Sequence, residues 1–396
     1  MSVKNNYKHT IFACYGGYIT QAVVNNLAPL LFLIFNESYN IPLTQITLLV
    51  TVNFVTQLTV DLVAANIADK IGYRPMIVAA HLFAAAGLAG MGLLPNIIPP
   101  FTGLMISVVL YAIGGGIIEV LISPITEACP TDNKESVMSL LHSFYCWGVV
   151  AVVALSTLFL YFFGKESWQW LTLLWAMFPL ANAVYFCLVP ICSLTEDGEG
   201  MTIKQLLCSG SFWIFALMMV TAGGSELAMS QWSSAFAESG LGVPKAVGDL
   251  AGPCLFAVLM GIARVINAKI SGKTDILNLI IGSCILCIGC YLLAVIAPIP
   301  ALGLVGCALC GFSVGILWPS TFSLAAKHCP NGGTAMFGLF ALAGDMGCSG
   351  GPTLVGFVSD FFDGNLAYGL LSAIAFPILL IIGALLCKKF IVNKTK

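Results

Sequence analysis

Charge is what this sequence has least of. Only 9% of its 396 residues are Asp, Glu, Lys or Arg, and 59% are hydrophobic. A soluble domain carries about 25% charged residues, so no water-facing surface can be built from this chain. It has no basic tract for nucleic acid, no acidic tail and no low-complexity stretch, and its net charge of −2 points to no charged partner. The alternating ten-residue pattern of a membrane β-strand is missing too. Lys4 and Lys8 precede a long first apolar run without a small-residue cleavage site, so that run is expected to stay as an anchor. The longest polar stretch is 192–205, too little for a catalytic domain or the partner surface of a sensor.

What is present is a series of long apolar runs such as 276–297. In hydrocarbon every backbone polar group must be satisfied within the protein, which leaves helices. The chain reads as twelve spans: 10–35, 44–68, 75–95, 100–127, 137–163, 168–191, 206–237, 246–267, 275–297, 300–326, 334–360 and 366–388. The 192–205 loop divides them into two six-span halves, 1–191 and 206–396. With both termini cytoplasmic, fourteen of the 16 Lys and Arg residues fall inside, and only Lys165 and Lys245 outside. That bias obeys the positive-inside rule. Trp168 and Trp170 are then expected at the outer interface as belt residues. Gly16-Gly17 and Gly223-Gly224 open corresponding spans of the two halves, a weak internal repeat of the kind transporters show.

Two patterns mimic other chemistry. Cys284, Cys287 and Cys290 have a metal-like spacing among fifteen cysteines, but no histidine lies nearby and buried free Cys behaves as a small hydrophobe, so no metal is expected. Gly311-x-Ser313-x-Gly315 and Gly347-x-Ser349-x-Gly351 match a hydrolase nucleophile pattern. That pattern requires a strand-to-helix elbow. Inside apolar helices it reads as small residues at a helix contact, and no catalytic residue or cofactor is expected.

The turn after span 2 runs Asp61, Ala65, Asp69-Lys70-Ile71-Gly72-Tyr73-Arg74. It resembles the signature of the major facilitator superfamily, with Ala65 for the first Gly and Lys70 for the first Arg. The resemblance implies a fold of twelve helices in two pseudo-symmetric halves that rock about a midplane cavity. It also implies a conformational latch of Asp61, Asp69, Lys70, Gly72 and Arg74, its charges meeting helix ends of the other half. Span 4 carries Gly114-Gly115-Gly116-x-x-Glu119-x-x-x-Ser123-Pro124, span 10 Trp318-Pro319-x-x-Phe322-Ser323-Leu324, and span 11 Gly350-Gly351-Pro352 with Gly356, Ser359 and Asp360. These resemble the fucose–galactose–glucose:proton symporter family, with Ser123 where that family usually has Asn. In that family the span 4 acid takes part in proton-coupled uptake, which assigns that role to Glu119. The family's acid in span 1 has no counterpart; Asn25 and Asn26 lie near its place.

Independently of family, an ionisable group kept inside the membrane is a functional candidate. Glu119, Glu226 and Asp345 fall within spans, and His142 reads as a histidine able to relay protons. The alternative for each acid is a carboxylate bonded to a neighbouring helix, and for His142 a packing histidine. No Lys or Arg lies mid-span, Arg264 being near the inner end of span 8, so a neutral or cationic solute is expected rather than an anion. Gln21, Asn25, Asn26, Asn53, Gln57, Tyr145, Trp147, Gln231, Trp232 and Trp318 could bind solute, the amides meeting hydroxyls and the aromatics a sugar face. Each alone also suits interhelical bonding.

The expectation is a monomeric secondary transporter in a bacterial inner membrane, taking up a neutral polar solute such as a sugar with a proton, or with sodium in its place. The alternatives are a drug or organic-cation exporter and a non-transporting sensor. Proton antiporters of the superfamily usually carry a Gly-Pro-rich motif in span 5, whereas 137–163 has no proline.

Overall fold

A computed structural model describes residues 6–41, 43–192, 200–244, 247–248, 250–329 and 331–390. Lys4, Lys245 and the side chain of Asp360 lie outside the described residues. All regular elements among the described residues are helical. They are α1 (Tyr7–Tyr39), α2 (Leu43–Ile71), α3 (Tyr73–Leu93), α4 (Pro100–Ala128), α5 (Lys134–Phe163), α6 (Trp168–Leu188), the short α7 (Ile203–Leu207) and α8 (Gly210–Ala235). There follow α9 (Leu255–Ile270), α10 (Ile276–Ile296), α11 (Pro300–Val314), α12 (Leu317–His328), α13 (Gly333–Phe361), α14 (Leu366–Ser372) and α15 (Ala375–Phe390).

Local chemistry sets the ends. Asn6 caps α1 by accepting from Lys8 N at 3.0 Å. α1 stops at Asn40, whose left-handed φ of 51° suits an asparagine. Gly72 separates α2 from α3 at φ 92°, a conformation that favours glycine. Pro319 has no N–H to give the Gly315 carbonyl four residues back, and the helix breaks there into α11 and α12.

Among the described residues, nine helical segments are long and apolar enough to cross a membrane. α1, α2 and α13, of 33, 29 and 29 residues, are not among them, although each is long enough. α1 and α2 carry the amides Gln21, Asn25, Asn53 and Gln57, and α13 carries Asp345. With α11–α12 and α14–α15 each read as one broken span, the architecture is consistent with twelve passages.

Two compact units form. One comprises Met1–Pro130, Trp147–Gly200 and Gly333–Gly338; the other comprises Thr131–Cys146, Met201–Gly332 and Leu339–Lys396. In the first, Leu27, Leu31 and Phe35 of α1 pack with Leu88 of α3, Val108 and Tyr111 of α4, and Trp168 of α6. Trp168 is therefore core, not belt: it is buried edge-on to Phe35 at 5.2 Å, while Trp170 is exposed.

Lipid gives apolar helices no reason to prefer each other over acyl chains, so close backbone approach must supply the contact. Gly87 of α3 faces the backbone of Ser107 and Tyr111, and Gly114 of α4 faces that of Ala80 and Ala84. In the second unit Gly311 lies against Phe256 O, and Gly315 against Met260 O. Gly347 lies against Val220 O, and Gly351 against Gly224 O. Both pairs are spaced four apart, on one face of a helix. The two hydrolase-like patterns are thus the small-residue seams of α11 and α13.

A Cβ at Gly347 would collide with the Val220 carbonyl, whereas Gly350 faces open space. Gly347→Val should cost about 1–3 kcal/mol, as overpacking does, and lower the melting temperature in detergent. Gly350→Ala on the same helix should leave it unchanged or slightly raised.

Candidate functional site

Three helices of the first unit bring five polar side chains together. Gln21 of α1 is 2% exposed. Its Nε2 donates to Glu119 Oε2 of α4 at 3.0 Å and to Gln57 Oε1 of α2 at 3.1 Å. Gln57 Nε2 in turn donates to Asn25 Oδ1 at 2.8 Å and Asn53 Oδ1 at 2.9 Å. The helical period explains the clustering. Gln21 and Asn25 are one turn apart on α1, as are Asn53 and Gln57 on α2. Gly115 leaves the room they occupy, since a Cβ there would stand 3.1 Å from Gln21 Oε1 and 3.4 Å from Gln57 Cδ. That Oε1 is buried and has no hydrogen-bond partner among the described residues.

Asn26 is not in this cluster; it turns back to donate to Ala22 O at 2.9 Å, inside its own helix. The Tyr18 and Ser123 hydroxyls pair at 3.1 Å, so Ser123 binds α1 to α4. His81 also lies within a span, and sequence reasoning had passed it over. It is fully buried, its Nδ1 against Ile77 O at 2.8 Å and its Nε2 against Asn182 Nδ2 at 2.9 Å. Asn182 also donates to Ala13 O at 3.1 Å. A neutral ring with its proton on Nδ1 satisfies both nitrogens, so this histidine binds α1, α3 and α6 together.

The second unit holds a buried cation that the sequence reading placed near the span's edge. Arg264 of α9 is 3% exposed and all its groups are engaged. Nε donates to Gly315 O at 2.8 Å, the carbonyl left without a donor by Pro319. Nη1 donates to His142 O at 2.9 Å and meets Cys146 Sγ at 3.1 Å. Nη2 lies 3.4 Å from Glu226 Oε2 of α8. This guanidinium is buried in protein and occupied by protein acceptors. His142 is buried and stacks on Phe322 at 5.9 Å.

The remaining candidates are dispersed. Asp345, Tyr145 and Trp147 are half-buried on α13 and α5. Gln231 is exposed. Trp232 donates to Pro352 O at 3.0 Å, an α8–α13 tie. Trp318 covers Gly344 and leans on Phe322.

The latch set also divides. Asp69 accepts from Tyr73 at 3.2 Å and from Thr334 at the start of α13. Thr334 was not foreseen, because nothing local to 334 marks it. Lys70 is exposed. Asp61 is no part of the turn: it is fully buried, with Oδ1 3.0 Å from where a Cβ on Gly116 would stand. Arg74 caps its own bundle instead of a distant helix. It donates to Phe186 O at 2.8 Å, Cys187 O at 3.1 Å and Val189 O at 2.8 Å, the free carbonyls ending α6.

The sequence model of the Major Facilitator Superfamily matches residues 13–352. The chain belongs to the Major Facilitator Superfamily. Members of this superfamily are transporters, and this protein is a membrane transporter. Solved structures of the superfamily share its fold. A variant of the Escherichia coli fucose:proton symporter superposes with a TM-score of 0.83 at 17% identity, over 96% of this chain and 98% of that one. A proton:xylose symporter bound to 6-bromo-6-deoxy-D-glucose gives 0.80 at 13%, over 97% and 95%. A human organic anion transporter gives 0.73 at 13%, over 96% and 100%. No curated protein sequence matches the chain.

Arg74→Ala strands three helix-end carbonyls. It should destabilise the protein by about 2–3 kcal/mol, in the range for hydrogen bonds to charged groups. Arg74→Lys should recover only part, since one ammonium cannot span the three acceptors. Thermal unfolding of the purified variants measures both.

Proposed function

We propose that this superfamily transporter takes up a neutral, hydroxyl-bearing solute of the sugar class together with a proton, and that Glu119 carries the proton. The observation that supports this is the Glu119–Gln21–Gln57 network, in which the buried Gln21 Oε1 has no hydrogen-bond partner among the described residues. An ionised Glu119 holds the Gln21 amide by a charge-assisted bond, roughly twice as strong as a neutral one. Protonation weakens that hold, and the amide becomes available to a hydroxyl pair of the solute. Proton and solute then bind together and leave together as access alternates. Gln57, Asn25 and Asn53 keep the amide planes aligned; rigid placement of this kind is how a polar site selects hydroxyl geometry.

The fucose:proton and proton:xylose symporters that share the fold support a proton and a sugar as the cargo class. An anion is disfavoured because Arg264 already has four protein partners. The lysine and arginine distribution supports a cytoplasmic location for both termini, with residues 1–191 and 206–396 as the two transporting halves of a monomer in a bacterial inner membrane.

Glu119→Gln fixes the protonated form. Exchange of labelled solute across proteoliposomes should persist within a few-fold of wild type. Accumulation driven by a pH gradient should fall to background. Accumulation at the wild-type level in this variant would remove Glu119 from the coupling role.

A further inference from the structure

Five cysteines lie buried on α10 and α11. Cys284, Cys287 and Cys290 recur every three residues and share a face of α10, and Cys307 and Cys310 share one of α11. The two helices run antiparallel in close register. Gly303 of α11 lies against Ala294 O of α10, and a Cβ on Gly306 would stand 2.5 Å from Ala294 N and 2.9 Å from Cys290 O. One turn further along α11, the register sets Cys310 opposite Cys287, and their sulfurs are 4.0 Å apart. α10 is held in place beside this pair by Tyr291, which donates to Ser225 O of α8 at 3.0 Å. The spacing within α10 could not show a thiol arriving from a second helix.

The number of ligands, the distance and the charge together select what such a pair can hold. Among the described residues no group of three or more His, Cys, Asp or Glu could hold a metal ion, so a four-ligand zinc site is ruled out there. Two sulfurs alone suit a soft ion that takes two opposed thiolates. A disulfide needs its sulfurs at about 2.05 Å, about 2 Å closer than these stand. Backbones already in contact at Gly306 cannot approach further to close that gap. A linear complex needs about 4.6 Å, two metal–thiolate bonds of about 2.3 Å, and so only about 0.6 Å more than the observed spacing. A small turn of either side chain supplies it. Neither helix carries a charged residue, and net charge is costly in hydrocarbon. Two thiolates on a divalent ion are neutral, whereas on a monovalent ion they leave one negative charge.

We propose that Cys287 and Cys310 form a two-thiolate site for a soft divalent metal ion of the mercury(II) class. Mercuric chloride is neutral and enters the bilayer as such. Two S–H and two Hg–Cl bonds break, two Hg–S bonds form, and two HCl leave, with no change of oxidation state. The bound ion joins α10 to α11 at mid-membrane. The site owes nothing to Glu119, to the proton or to the sugar.

Purified protein, reduced and then exposed to mercuric chloride, is washed with glutathione to strip ions held by single thiols, and the ions kept are counted by native mass spectrometry. Cys287→Ala and Cys310→Ala should each keep one ion fewer than wild type. The double variant should also keep one fewer, not two, because both sulfurs serve the same ion. Cys284→Ala and Cys307→Ala should match wild type. Fragmentation of the intact wild-type protein should place one kept ion between residues 287 and 310. No mercury on that stretch overturns the site without requiring any variant to fold. So does a double variant that loses two ions, or single variants that lose none. Silver(I) kept by the pair at the same yield overturns the assignment to a divalent ion.

Discussion

Hydrocarbon offers a polar group no water, and the whole structure is arranged around that shortage. Each buried donor, acceptor or charge must find its partner in protein, at a cost of several kcal/mol where it does not. The helices satisfy their own backbones. What remains are the helix ends, the proline breaks and the side chains, and those are where the informative contacts lie. Arg74 takes three carbonyls at the end of α6. Arg264 takes the one that Pro319 leaves open. Gln21 and Gln57 take one another and the acid beside them.

The same shortage sets how helices meet. Without a hydrophobic drive between them, contact depends on backbones coming close. Glycines at 311, 315, 347 and 351 give that closeness on α11 and α13. The serines at 313 and 349 that complete a hydrolase-like spelling have no such part: Ser313 donates to Cys310 O of its own helix at 2.6 Å, and Ser349 is exposed. Glycine at 115 and 116 serves another purpose, making room for Gln21 and Asp61.

Much of this was legible in the sequence, for physical reasons. Span positions follow from apolar run length, and the Gln21–Asn25 and Asn53–Gln57 pairing follows from helical period. Glu119 stood out because acids are costly in lipid. What could not be read were tertiary partners. Arg264 looked peripheral by its nearness to a span end, yet its burial depends on Glu226, His142 and Gly315 converging from three other segments. Asp61 looked like part of a charged turn because it is near one in sequence, but it lies about three helical turns before Gly72 and is buried against α4. Trp168 looked like a belt residue and proved to be core, a distinction made only by Phe35 and Tyr39 packing on it.

The central claim is that solute and proton move as one through a site built on Glu119. The most direct test is proton movement itself, followed with an external pH indicator around de-energised proteoliposomes as neutral sugars are added one at a time. The account predicts that a transported sugar makes the medium alkaline, with proton and sugar entering in a fixed ratio. Sugar entry with no accompanying change in external pH would contradict it.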